Sequence, residues 1–169
     1  KLDNHLILRT NVLYGFESNT SIKSRSNYTK PMNFVLWVLN KLNQNQQIKI
    51  VNDQFSNPTL VDNLVSIIYD CIQKNLTGIY HATDLTCINR YEFTKKIAKI
   101  FGYDENLITS ISSNDLNQFA KRPLYTCLDC SKIIETGIKL HQVDSSLNRL
   151  YEQIKKSEPT LISNSKNMF

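Results

Sequence analysis

Apolar positions along this chain fall into two alternating periods, short continuous runs and helical repeats. Leu6-Ile7-Leu8 is a short apolar run closed by Arg9, as expected of a buried strand. Phe34, Val35, Val38, Leu39 and Leu42 recur at helical spacing. Pro31 ahead of them presets a first-turn dihedral, so a helix is expected to open there. Ile48-Lys49-Ile50-Val51 reads as a second strand. Leu60, Leu64, Ile67, Ile68, Cys71 and Ile72 then mark a helix that Asn75 and Gly78 bring to an end. Gly78 to Ala82 is a third strand, and a helix from Arg90 to Phe101 stops at Gly102. A short helix from Ser131 to Glu135 ends at Gly137, and an amphipathic helix runs from Ser145 to Lys156. Glu17 to Lys30, rich in Ser, Asn and Thr, is expected to be a mobile loop. The polar tail over 158–169 is expected to be disordered. Strands alternating with helices give the α/β class, with no internal repeat.

The length of 169 residues and a 41% hydrophobic composition allow one domain with a core. No apolar run reaches membrane-span length, and Lys1-Leu2-Asp3-Asn4-His5 is not a signal peptide. The net charge of +5 is scattered, with no basic stripe interleaved with aromatics, so a nucleic-acid partner is not expected. The chain begins without Met and enters a strand almost at once, which fits an excised or truncated piece. Among Cys71, Cys87, Cys127 and Cys130, only Cys127-x-x-Cys130 has chelating spacing, and no second ligand pair accompanies it. No metal is therefore expected, and the cysteines read as reduced thiols packed as small hydrophobes. Reduced thiols without a targeting segment point to the cytoplasm. Asn-x-Ser/Thr matches at Asn19, Asn27 and Asn75 are what an Asn-rich chain yields by chance.

Candidate chemistry concentrates in Asp53-Gln54-Phe55-Ser56-Asn57-Pro58-Thr59, a polar turn between the second strand and the helix beginning at Leu60. Open α/β sheets present ligand-facing groups at the carboxyl ends of their strands. Pro58 fixes the turn while Gln54 and Thr59 offer polar contacts; Thr59 is also placed to cap the helix. Asp62 reads as a first-turn carboxylate favoured by the helix dipole. A nicotinamide-dependent enzyme needs a glycine-rich phosphate cradle, yet Gly15, Gly78, Gly102 and Gly137 are too far apart to form one. Tyr91-x-x-x-Lys95 and Tyr151-x-x-x-Lys155 have the spacing of a proton-donating Tyr–Lys pair. Such a pattern arises often in a chain rich in Tyr and Lys, and both read as scaffold.

Arg9-Thr10-Asn11-Val12-Leu13-Tyr14-Gly15, followed by Asp53-Gln54-x-x-Asn57-Pro58-Thr59, resembles the back half of the dTDP-4-dehydrorhamnose reductase family. These are extended short-chain dehydrogenases that act on nucleotide sugars. Leu128-Asp129-Cys130-Ser131-Lys132 with Glu135 and Gly137 is also similar to the regulatory β subunit of methionine adenosyltransferase. The resemblance runs from about Leu6 to about Tyr151. It implies the edge of a Rossmann-type sheet plus a small α/β substrate-binding lobe over residues 1–157, with the dinucleotide-binding half absent. It places the catalytic Tyr–Lys pair ahead of the segment matching Arg9-Thr10, so no catalytic residue is expected here. Asn11, Val12 and Leu13 would lie beside the nicotinamide of NADP or NAD; Val12 stands where bacterial members carry Trp. Asn33, Gln54, Asn57, Thr59 and Arg122 would contact substrate, although Asn33 equally suits a helix cap. Arg122, in Lys121-Arg122-Pro123, matches an Arg-Pro element whose guanidinium suits a diphosphate. Arg9 reads equally as an ion pair or a ligand contact, and His81 as a satisfied histidine rather than a ligand-facing one. The implied function is NAD(P)H-dependent reduction of a nucleotide-linked 4-keto-6-deoxy sugar; the alternative is a regulatory subunit acting on a synthetase partner. The reductase reading is favoured because Asp53-Gln54 is the more ligand-proximal motif. A homodimer is compatible with either.

Overall fold

The computed structural model describes residues 4–16, 33–116 and 120–162. The loop expected over Glu17–Lys30, Pro31, and residues 163–169 lie outside them. Helix α1 spans Phe34–Asn43 and begins where Asn33 accepts a hydrogen bond from the Leu36 amide at 3.1 Å. Its buried stripe is Val35, Val38, Leu39 and Leu42, the positions that helical spacing selects. Helix α2, Val61–Gln73, starts at Leu60 without any side-chain cap. The Thr59 hydroxyl, expected there, instead donates to the Asn57 carbonyl and accepts from the Asp84 amide. Asn75 turns left-handed (φ +51°) after α2, and Gly78 (φ +98°) opens the next strand. Helix α3, Arg90–Phe101, runs from an Asn89 cap to a left-handed Gly102, as its sequence requires. Helices α4 (Ser131–Ile134) and α5 (Val143–Ser157) complete the set.

Strands pair two by two. β1 (Leu6–Arg9) lies parallel to β6 (Gly78–His81), with Arg9 opposite His81. β2 (Leu13–Tyr14) lies parallel to β5 (Thr59–Leu60), and β3 (Ile48–Val51) parallel to β8 (Ile108–Ile111). β4 (Phe55–Ser56) runs antiparallel to β7 (Ile88–Asn89). The larger core joins α1, α3 and α5 to the β3–β8 pair through Leu39, Leu42, Phe93, Ile97, Phe101, Leu150 and Ile154. A smaller core under β1 and β6 gathers Ile67, Cys71, Tyr80, Ile133 and Ile138. Each fully buried side chain of this size contributes about 1.5–3 kcal/mol.

Several expectations need correction. The chain does not end its order at Ser157: Pro159–Leu161 forms a 3-10 turn, and Leu161 and Ile162 pack on the larger core. The cysteines are not all reduced. Cys87 and Cys127 form a disulfide, leaving Cys71 and Cys130 buried as free thiols. Sequence spacing pairs Cys127 with Cys130, but the fold brings Cys127 to a residue 40 positions upstream. Among the described residues no cluster of His, Cys, Asp and Glu suits a metal, and no helix is long and apolar enough to cross a membrane. Both Tyr-x-x-x-Lys patterns sit on scaffold helices. Lys95 pairs with Glu105 at 2.9 Å, while Tyr91 packs on the larger core; Tyr151 meets Phe101 edge-on.

Candidate functional site

The chain leaving β3 carries Asn52, Asp53 and Gln54 to one end of the β3–β8 pair. Asp53 Oδ2 accepts from the Ser112 hydroxyl (3.1 Å), the Ser113 amide (2.9 Å) and the Ser113 hydroxyl (2.8 Å). These donors, the Ser113 amide foremost, hold its carboxyl below the usual carboxylate range. Asp53 therefore fixes the loop after β8 through Oδ2, while its Oδ1 has no partner among the described residues. Gln54 is 7% exposed, and its Nε2 has no hydrogen-bond partner among the described residues. A buried amide donor without a partner costs about 1–3 kcal/mol, and the same holds for Asp53 Oδ1 beside it, so the turn carries two buried polar atoms that no described residue satisfies.

Three adjoining clefts of about 380, 170 and 270 Å³ all include Gln54 and Arg122 in their walls. Two of the three also include Arg90, the first residue of α3. The Arg90 guanidinium lies 5.4 Å from the Phe34 ring centroid, and Phe34 stacks on Trp37 at 5.9 Å. Burial, with Arg122 close by, lowers the Arg90 pKa. No carboxylate pairs with either arginine among the described residues. Two guanidinia without a counter-charge, a buried amide donor and an aromatic wall make an anion site with a flat apolar shelf beside it. Arg90 was not among the expected ligand residues. It looked like the start of a packing helix, and only the crossing of α3 with the Asp53-Gln54 turn brings it to Arg122.

The other expected site residues divide. Asn11 and Val12 line the smallest of these clefts with Gln54, Arg90, Arg122 and Pro123. Asn11 Nδ2 donates to the Thr126 carbonyl at 2.7 Å, tying the strand end to the Arg122 segment. Val12 sits at φ +39°, a left-handed conformation that a β-branched residue rarely adopts, so the turn stores strain at the cleft wall. Leu13 and Asn33 face a separate cleft of about 410 Å³ shared with Tyr14, Phe16, Val61 and Asp62. Asn33 already caps α1 and donates to the Gly15 carbonyl at 2.8 Å, so both ends of its amide are used. Asn57 and Thr59 face inward. Asn57 Oδ1 accepts from the Leu128 amide at 2.7 Å, and fully buried Thr59 bridges Asn57 and Asp84. These two brace the turn from beneath instead of lining the clefts. His81 Nδ1 donates to the Asp129 carbonyl at 2.7 Å, consistent with a structural histidine. Asp62 stands in the first turn of α2 and accepts from Gln153 at 2.9 Å.

Comparison with known proteins gives a consistent result. The family model described as RmlD substrate binding domain matches residues 1–156. A probable low-salt glycan biosynthesis reductase of Haloferax volcanii is 27% identical over 76% of this chain and 40% of its own length. The dTDP-4-dehydrorhamnose reductase of Aggregatibacter actinomycetemcomitans is 27% identical over 76% of this chain and 43% of its own. The crystal structure of the Bacillus anthracis dTDP-4-dehydrorhamnose reductase in complex with NADP superposes with a TM-score of 0.73 at 26% identity, covering 88% of this chain and 48% of that one. The chain thus spans less than half the length of the relatives it matches.

Proposed function

The chain belongs to the RmlD substrate binding domain family, and we propose that it is the substrate-binding portion of an NAD(P)H-dependent reductase of a nucleotide-linked 4-keto-6-deoxy sugar. Residues 1–157 form that portion, and the dinucleotide is held by sequence outside this chain. The observation that carries the reading is the unpartnered Gln54 amide, buried among clefts that Arg90 and Arg122 share. A diphosphate bridging the two guanidinia would supply the counter-charge they lack, and its oxygens accept bidentate hydrogen bonds. The Phe34–Trp37 shelf offers a π-face for a nucleobase. The sugar would then extend toward the strained Asn11–Val12 turn, on the side where the cofactor approaches.

Among the described residues no glycine-rich phosphate cradle is formed. The chain's four glycines include none grouped at a strand-to-helix turn, and Gly15, nearest the Leu13 cleft, would meet only an ordinary Val61 contact at 3.4 Å if it bore a Cβ. Reduced nicotinamide supplies hydride in such reductases. This chain's part is to bind the nucleotide, orient the sugar and close one rim of the reaction chamber. The regulatory-subunit alternative finds no support in the relatives described above.

Calorimetry tests the reading with dTDP as the probe. The chain should bind it, and Gln54→Ala should weaken binding about tenfold or more, as loss of a hydrogen bond to a charged acceptor does. In a complete reductase built on this sequence, the same change should raise KM for the nucleotide sugar and leave the cofactor constant nearly intact. A Gln54→Ala protein that binds dTDP as tightly as wild type would refute the placement of the ligand.

A further inference from the structure

The Cys87–Cys127 disulfide joins the two segments that carry the two arginines. Cys87 directly precedes β7, whose second residue abuts Arg90; Cys127 ends the stretch 120–126 that presents Arg122. Among the described residues, its backbone attachments run to Phe55 and Asn11, and Phe55 is itself paired with Asn89 of β7. The Phe55 amide donates to the Leu124 carbonyl at 2.7 Å, the Thr126 amide to the Phe55 carbonyl at 3.0 Å, and Asn11 Nδ2 to the Thr126 carbonyl at 2.7 Å. The Thr126 hydroxyl also donates to the Phe55 carbonyl, at 2.9 Å. Toward the start of α3 the stretch is held by the disulfide, with the Tyr125 hydroxyl 3.4 Å from Cys87 Sγ as a donor. Cys87 is an exposed residue and Cys127 a half-buried one, so an external thiolate reaches the bond from the Cys87 side.

We propose that the Cys87–Cys127 disulfide is a redox-sensitive clasp that positions Arg122 against Arg90, so that the anion affinity of the cleft depends on its oxidation. A dithiol reductant opens it. One thiolate attacks Cys87 Sγ, the S–S bond breaks, and Cys127 leaves as a thiolate that takes up a proton. The reductant's second thiolate then resolves the mixed disulfide, releasing Cys87 as a thiol and closing the reductant into its own disulfide. Two electrons pass to the protein, and two thiols result. Freed of the cross-link, residues 120–126 stay tied to the start of α3 only indirectly, through Phe55, which bonds Leu124 and Thr126 and pairs with Asn89, so Arg122 gains freedom relative to Arg90.

The affinity consequence rests on the proposed function; the mobility consequence does not. The test therefore reads both on the full chain, with and without dithiothreitol. Reduction should speed tryptic cleavage after exposed Lys121, followed by mass spectrometry, and weaken dTDP binding by about tenfold, the worth of one charge-assisted contact. Cys87→Ser/Cys127→Ser should match the reduced protein and ignore dithiothreitol. Arg122→Ala should bind dTDP weakly and equally in both redox states, which a general loosening of the fold would not produce. Unchanged cleavage and unchanged affinity on reducing the wild type would overturn the proposal. So would an Arg122→Ala protein that still loses affinity on reduction by the wild-type factor. If the oxidised chain fails to bind dTDP while cleavage still responds to reduction, the clasp stands and the nucleotide-sugar reading falls.

Discussion

Two carboxylates in this molecule are displaced in opposite directions, each for a local reason. Asp53 is held low by donors from Ser112 and Ser113. Asp84, fully buried, is raised by desolvation even though Ser146, Asn63 and the Leu60 amide donate to it. The signs of their contributions differ. Asp53 favours the charged form in the fold, so its stabilisation is complete above the ordinary Asp pKa of about 3.9 and is lost as pH falls through the lower folded value. Asp84 favours the protonated form, so its contribution is greatest at low pH and is lost as pH rises through its raised value. Urea unfolding followed from pH 6 to about pH 3 should therefore show a steeper acid-side loss in wild type than in Asp53→Asn. Parallel profiles would mean the Ser112–Ser113 donors do not stabilise the charged form. At Asp84 the larger effect is structural. Asp84→Ala removes the acceptor of the Ser146 hydroxyl and the Leu60 amide and leaves the Asn63 amide only its bond to Ser146 Oγ, and should cost about 3 kcal/mol at neutral pH. A loss below about 1 kcal/mol would show that water or rearrangement satisfies those donors.

At the scale of elements, α1 deserves a direct test because its cap also closes a cleft. Asn33 accepts from the Leu36 amide and donates to the Gly15 carbonyl, so one side chain starts the helix and fixes the turn after β2. Asn33→Ala should lower stability by about 1 kcal/mol, whereas Asn33→Asp keeps the cap acceptor and should recover part of that loss. Thermal unfolding of the pair would separate capping from the Gly15 tie; equal losses in both variants would assign the whole effect to the tie. The elements legible in the sequence were those long enough to show a period. Phe34 to Leu42 and Arg90 to Phe101 declare their buried stripes, and Leu6–Arg9 and Ile48–Val51 declare theirs. The two-residue strands β2, β4, β5 and β7 carry no period to read. They form because the turn around Pro58 is drawn against Leu13 and Ile88 by tertiary contacts. The same turn shows why a polar motif alone does not say which of its side chains reach the clefts. A polar residue in a ligand-facing motif can point up or down, and sequence does not say which. Gln54 points to the clefts with a free amide, whereas Asn57 and Thr59 spend their groups on Leu128 and Asp84. Arg90 and the Cys87–Cys127 bond were hidden for a related reason: both acquire their role only when distant segments meet.

At the scale of the whole molecule, two surfaces remain apolar, one on the outer side of α2 and one on the side of the β1–β6 pair away from it. Val61, Val65, Ile68, Tyr69 and Ile72 form a stripe along α2, with Ile7 and Ile79 on the β1–β6 pair also exposed. The second edge of β1 has no strand beside it among the described residues. Parallel strands are ordinarily covered on both faces and flanked by further strands, so exposed Ile7 and Ile79 on a two-stranded parallel pair suit a surface that packs on other elements. It agrees with a chain that spans less than half of its relatives, and it separates the two ligands cleanly. The clefts around Gln54, Arg90 and Arg122 are walled by residues of this chain, and on the proposed function the dinucleotide would meet it only at the rim near Leu13. Calorimetry on a single preparation should therefore register dTDP and fail to register NADPH at micromolar concentration. Tyr69→Lys with Ile72→Glu should leave the dTDP signal unchanged, because neither residue lines the clefts around Gln54, while reducing self-association measured by sedimentation. Micromolar NADPH binding by this chain would show that a phosphate cradle exists without clustered glycines, and the division of labour argued here would have to be abandoned.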